Sequence, residues 1–90
     1  MTEVRHNPAL NRYELDTEHG VAIAVYAQRG DRLVFTHTAV PPESEGKGIG
    51  SRLVRAALDD AHRRGLKIVP ACSFIADFVR RHPEYENAAD

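Results

Sequence analysis

The chain has 90 residues, 42% of them hydrophobic and 28% charged, with a net charge of −1. This sets an expectation of one domain over residues 1–90 with a modest core, about 60% of the unfolded surface being buried at this size; the near-neutral balance gives no general pull towards nucleic acid or an anionic membrane. A single cysteine, Cys72, excludes an internal disulfide framework and a paired-cysteine zinc site, while the lack of a signal segment in MTEVRHNPAL or of a run near ~20 apolar residues points to a cytoplasmic, reducing setting with no membrane and no metal.

Residues 1–9 read as a lead-in, with Asn7-Pro8 as a turn signal. Asn11 to Leu15 can form a short first strand, and Asp16 to Gly20 is a turn cluster. Val21 to Gln28 (VAIAVYAQ) is rich in β-branched and small apolar residues and reads as a buried strand. Gly30-Asp31 closes a hairpin, and Arg32 to Val40 (RLVFTHTAV) is the return strand. Alternation places Leu33, Phe35, His37 and Ala39 on one face; a bulge near the end would reverse this for His37.

Gly50 to Arg64 is the clearest helix. Ile49, Leu53, Ala57 and Ala61 recur every four residues, with Val54 and Leu58 widening the stripe. Arg55–Asp59, Asp59–Arg63 and Asp60–Arg64 are spaced as ion pairs on its wet side, and Gly65 stops it. Leu66 to Cys72 (LKIVPAC) reads as a strand. Ser73 then serves as N-cap of a second helix to about His82, which Pro83 ends; 86–90 is a tail. The expected fold is α/β (α+β), a mixed and mainly antiparallel sheet of about four strands with two helices, in the order β-β-β-α-β-α. The helical crossover predicts one parallel strand pair.

Between the return strand and the first helix lies PPESEGKGIGS. Its three glycines alternate with other residues, more than a tight turn needs. Glycine lets the backbone curl and lets a ligand approach the main chain. First-turn amides have no partner inside a helix, so the combination suits a phosphate or pyrophosphate. The spacing is neither the Walker pattern nor the G-x-G-x-x-G dinucleotide fingerprint.

Glu45-Gly46-Lys47-Gly48-Ile49-Gly50 resembles the [Q/R]-x-x-G-x-[G/A] acetyl-CoA motif of the GNAT superfamily of N-acetyltransferases. More narrowly, Phe35 to Thr38, the loop at 40–51, and Pro70 to Phe74 through His82 to Tyr85 resemble the smallest GNAT-like enzymes, little more than the cofactor-binding core. The resemblance covers about residues 10–85. It implies a GNAT-like acetyltransferase fold and acetyl-CoA as acyl donor, held by Val40, Glu45, Gly46, Lys47, Gly48, Ile49, Gly50 and Ser51. Glu45 stands where the wider family has Gln or Arg, so its backbone rather than its carboxylate is the expected contact. The last helix has no tyrosine at the place where larger members keep a general acid.

Cys72 sits between a strand and a helix N-terminus, a setting that favours thiolate. The resemblance puts it at the acyl end of the cofactor site, as transient acetyl acceptor or as pocket lining. His37, near the end of the strand entering the loop, has the chemistry of a general base. Lys47 and Arg52 flank the loop, and Tyr85 is a weaker proton-donor candidate. The reading is acetyl transfer from acetyl-CoA to an acceptor, a primary amine of a small molecule or protein, by direct attack or via Cys72. The alternatives are an acyl-CoA-binding or interaction module with little catalysis, and a generic phosphate-binding fold. The expected state is a monomer or weak dimer.

Overall fold

The structure, a computed structural model, describes residues 4–85; the first part of the lead-in, 1–3, and the tail, 86–90, lie outside the described residues. Strands β1 (Arg5–Asn7), β2 (Arg12–Thr17), β3 (Gly20–Arg29) and β4 (Arg32–Ala39) form an antiparallel meander. Helix α1 (Ile49–Arg63) crosses over to β5 (Lys67–Pro70), which lies parallel to β4, and α2 (Ser73–Arg81) follows. The mixed α/β fold is as expected, but the sheet has five strands in the order β1-β2-β3-β4-β5.

The additional strand comes from the lead-in. Arg5, His6 and Asn7 show no apolar alternation, so only tertiary pairing reveals it. His6 stacks on Tyr13 with ring centroids 4.4 Å apart. On the other face, Arg5 Nε donates to Glu14 Oε1 at 2.9 Å and Arg12 Nε to Glu14 Oε2 at 2.6 Å.

Period-two alternation selects the buried face of the sheet. Tyr13, Leu15, Ala22, Ala24, Tyr26, Leu33, Phe35 and Ile68 point inward. They meet Leu53, Val54, Ala57, Leu58 and Ala61 of α1 and Ile75, Phe78 and Val79 of α2 in one core. A fully buried leucine such as Leu53 or Leu58 contributes roughly 1.5–3 kcal/mol. Both helices lie on this side: Phe74 of α2 reaches Gly50, and Arg55 of α1 lies over the Phe78 ring, 5.6 Å from its centroid. The opposite face presents Ile23, Val25, Ala27, Val34 and Val69, all partly exposed.

The wet side of α1 is arranged differently from its spacing. Asp60 does pair with Arg64, at 3.4 Å. Its shorter bonds come from Arg63 at 2.8 Å and from the Tyr13 hydroxyl at 2.6 Å. Asp59 accepts the Tyr85 hydroxyl at 2.7 Å. The chain after α2 therefore folds back and pins itself to α1.

Two details position the candidate site. First, β4 carries a bulge. Val25 pairs with His37, but Tyr26 pairs with Phe35, so Thr36 is the extra residue. Beyond it Thr38 shares the inner face with Ala24, and His37 shares the outer face with Val25. Second, the β4–β5 ladder ends at the pair Phe35–Pro70. Proline has no N–H to continue it. β4 runs on to Ala39 paired only with β3, and a gap opens between the two strands.

Candidate active site

The glycine loop forms the upper wall of this gap. Pro42–Ser44 makes a 3-10 turn in which the Ser44 amide donates to Pro41 O at 2.8 Å and the Glu45 amide to Pro42 O at 3.2 Å. The Glu45 amide is thus already engaged. Gly48 is the N-cap of α1 at φ 76, ψ 9, and no side chain caps the helix. The first intrahelical bond runs from Arg52 N to Gly48 O at 3.0 Å. The amides of Ile49, Gly50 and Ser51 precede it and have no partner within an α-helix.

Gly46 and Gly48 both have positive φ, and a Cβ on either would meet no protein atom within 4 Å. This is left-handed backbone with open space before it, the form of a main-chain anion cradle. Gly50 has a different reason to be glycine. A Cβ there would stand 2.7 Å from Cζ of Phe74, whose ring lies against the start of α1.

A groove of about 540 Å³ runs along this wall, lined by Thr38, Val40, Ser44, Glu45, Gly46, Gly48, Ile49, Gly50, Ser51 and Phe74. Seven of the eight residues expected to hold the cofactor line it. The eighth, Lys47, lines a second groove of about 590 Å³ on the other side of the loop, with Arg52 and the β2–β3 turn residues Glu18 and His19. Ser44 and Ile49 belong to both grooves.

Cys72 does not line the first groove but bonds Thr38, which does. It is the N-cap of α2, one residue earlier than the expected Ser73. Its Sγ donates to Thr38 Oγ1 at 3.7 Å. Burial pushes the thiol up, but the Ile75 amide, the Thr38 hydroxyl, and the Phe74 and Thr38 amides outweigh it. The net effect holds Cys72 below the ordinary thiol range, as helix N-termini do.

The structure does not bring His37 to Cys72. The bulge turns the His37 side chain to the outer face and gives its place beside the thiol to Thr38. Tyr85, only 5% exposed, is tied to Asp59 away from the gap. Sequence reasoning allowed for a bulge that reverses His37 but missed Thr38, because nothing in FTHT says where the extra residue falls. It also gave Phe74 no place at the site. The ring is 40% exposed and faces the groove.

The site is thus a groove in a splayed sheet, with an uncapped helix start on its wall and a cysteine bonded to its lining residue Thr38. The family model described as GCN5-related N-acetyl-transferase matches residues 12–88. The chain belongs to this family. Among curated relatives it is similar to Protein NATD1 of Homo sapiens, 36% identical over 66 residues, covering 72% of this chain and 58% of that protein. Protein NATD1 of Danio rerio is 34% identical over 74 residues, covering 79% of this chain and 67% of that protein. The chain spans about three fifths of the mammalian and avian relatives it matches, 58% and 60% for Bos taurus and Gallus gallus. The solution structure of a GCN5-like protein from Staphylococcus aureus superposes with a TM-score of 0.72 at 27% identity, covering 92% of this chain and 82% of the other.

Proposed function

We propose that the protein transfers an acetyl group from acetyl-CoA to a primary amine. The observation that carries this reading is the open space before Gly46 and Gly48, beside uncapped amides, on a groove whose lining residue Thr38 is bonded to Cys72. The fit is chemical. Main-chain donors with no side-chain competitor suit a pyrophosphate, and the narrow space between diverging strands suits an extended arm. Acetyl-CoA supplies the activated thioester. The amides of residues 46–51 and the α1 dipole would hold its pyrophosphate, with Val40 and Phe74 along the arm.

Two routes lead to the amine. In one, the Cys72 sulfur bonds the acetyl carbon as the carbon–sulfur bond to coenzyme A breaks and the thiol proton passes to the departing coenzyme A sulfur; the amine then attacks, its proton passing to the Cys72 sulfur as the amide forms and the thiol is released. The lowered thiol supports this route. In the other, the amine attacks directly from the outer face, where His37 stands as the group able to take its proton. A single free cysteine and the absence of any helix long and apolar enough to cross a membrane, among the described residues, are compatible with a reducing cytoplasmic setting.

Incubation with acetyl-CoA, intact-mass measurement and an amine panel test the reading. One added acetyl group, lost in Cys72→Ala together with turnover, is expected for the covalent route. Turnover retained in Cys72→Ala and lost in His37→Gln is expected for direct attack. Tight acetyl-CoA binding without acetylation of any amine would refute the enzymatic reading and leave a binding module.

A further inference from the structure

In either route the coenzyme A sulfur needs a proton as it leaves. Tyr85 is tied to Asp59 away from the gap, and His37 stands on the outer face. Cys72 carries a proton but is not among the residues that line the groove. The lining residues whose side chains can exchange a proton are Thr38, Ser44, Glu45 and Ser51. Ser44, Glu45 and Ser51 belong to the loop and the first turn of α1, at the cradle end. Thr38 alone of these stands at the thiol, its Oγ1 accepting from Cys72 Sγ at 3.7 Å. The Thr38 hydroxyl thus has the thiol on one side and the groove on the other. The bulge at Thr36 makes this possible. Without it, alternation would turn His37 inward and Thr38 away from Cys72.

We propose that Thr38 is a catalytic residue whose hydroxyl passes a proton from Cys72 to the departing coenzyme A sulfur. This role rests on the acetyltransferase reading. As the carbon–sulfur bond breaks, its electron pair stays on the coenzyme A sulfur. That sulfur takes the proton of Thr38 Oγ1, and Oγ1 takes the proton of Cys72 Sγ. In the covalent route the Cys72 sulfur, freed of its proton, keeps the acetyl group. In direct attack the amine nitrogen keeps it. The proton that nitrogen sheds goes to His37 or water, and the Cys72 thiolate regains one from solvent. The transfer runs downhill. Neighbouring amides and the Thr38 hydroxyl hold Cys72 below the ordinary thiol range. The thiol of coenzyme A is an ordinary alkyl thiol, so a proton shared between the two rests on the coenzyme A sulfur.

The test uses the full chain, acetyl-CoA and an amine panel of lysine, spermidine and tyramine. Thr38→Val keeps the shape of the side chain and removes the hydroxyl, while Thr38→Ser keeps the hydroxyl. With the fastest amine, kcat is expected to fall about a hundredfold or more in Thr38→Val and to stay within about fivefold of the wild type in Thr38→Ser. The KM for acetyl-CoA is expected to change less than about threefold. The second donor is p-nitrophenyl acetate, whose leaving phenolate needs no proton. Its acetylation of Cys72, read from phenolate release, is expected to slow only about two- to threefold in Thr38→Val, through the loss of a thiol partner. A purely structural role would slow both donors alike. Circular dichroism checks folding; if Thr38→Val melts early, Thr38→Ala takes its place with the same expectation.

Any of three results would overturn the proposal: a kcat in Thr38→Val within about threefold of the wild type, a Thr38→Ser as slow as Thr38→Val, or equal losses with the two donors. A wild type that acetylates none of the amines sinks the acetyltransferase reading and this role with it. Wild-type turnover beside an equally fast Thr38→Val sinks the role alone and leaves that reading standing.

Discussion

Gly48 and Gly65 form a matched pair that separates folding from ligand binding. Gly48 has φ +76 and Gly65 has φ +73, and a Cβ on either meets no protein atom within 4 Å. Alanine at each position therefore introduces the same left-handed strain, about 1–2 kcal/mol, and no clash. For a domain of this size that lowers the melting temperature by about 4–8 °C per kcal/mol. Gly65→Ala and Gly48→Ala should thus melt within a few degrees of one another (about 5 °C) and below the wild type. Their ligand behaviour should differ. Gly65 closes the far end of α1, with its amide on His62 O at 3.0 Å. Gly48 caps the near end, and its added methyl would project into the space assigned to the pyrophosphate. Losing one charge-assisted hydrogen bond is worth about 1.5–3 kcal/mol, so coenzyme A affinity should fall about ten- to a hundredfold in Gly48→Ala. In Gly65→Ala it should stay at the wild-type value. Calorimetric titration at a temperature where both variants are folded reads this difference. Equal affinities in the two variants would refute the assignment of the loop.

Other consequences are equally concrete. Tyr13 is 2% exposed and donates to Asp60 at 2.6 Å; Tyr13→Phe should cost about 1.5 kcal/mol, read from urea unfolding. The Arg12 guanidinium and then the Asn7 amide hold the Glu14 carboxyl below the usual range. Its stabilising contribution is therefore fully present above the unfolded value, about pH 4.3, and is lost as pH falls through the lower folded one. Glu14→Gln should flatten the acid limb of a melting-temperature profile, while an unchanged slope would exclude Glu14 as its source. Thr38→Val removes a partner of the Cys72 thiol and should slow its alkylation by iodoacetamide at neutral pH about two- to threefold. Coenzyme A should protect Cys72 from the same reagent, and equal rates with and without it would refute a place for Cys72 at the acyl end of the bound cofactor.

Local chemistry determined much of this protein. The four-residue stripe from Ile49 to Ala61 could only be an amphipathic helix, and Gly30-Asp31 between two β-rich runs could only be a hairpin. The glycines of the loop marked where a helix would begin uncapped. These signals are short-range, since each depends on residues within one or two turns of one another. What the sequence left open depends on pairing between distant segments. β1 exists because β2 offers it an edge, and nothing in Arg5, His6 and Asn7 says so alone. The bulge at Thr36 exists because β3 and β4 fall out of register by one residue, and in a strand one residue decides the face. That single step put Thr38 rather than His37 beside Cys72. It also placed His37 on the opposite face of the sheet, beside Val25.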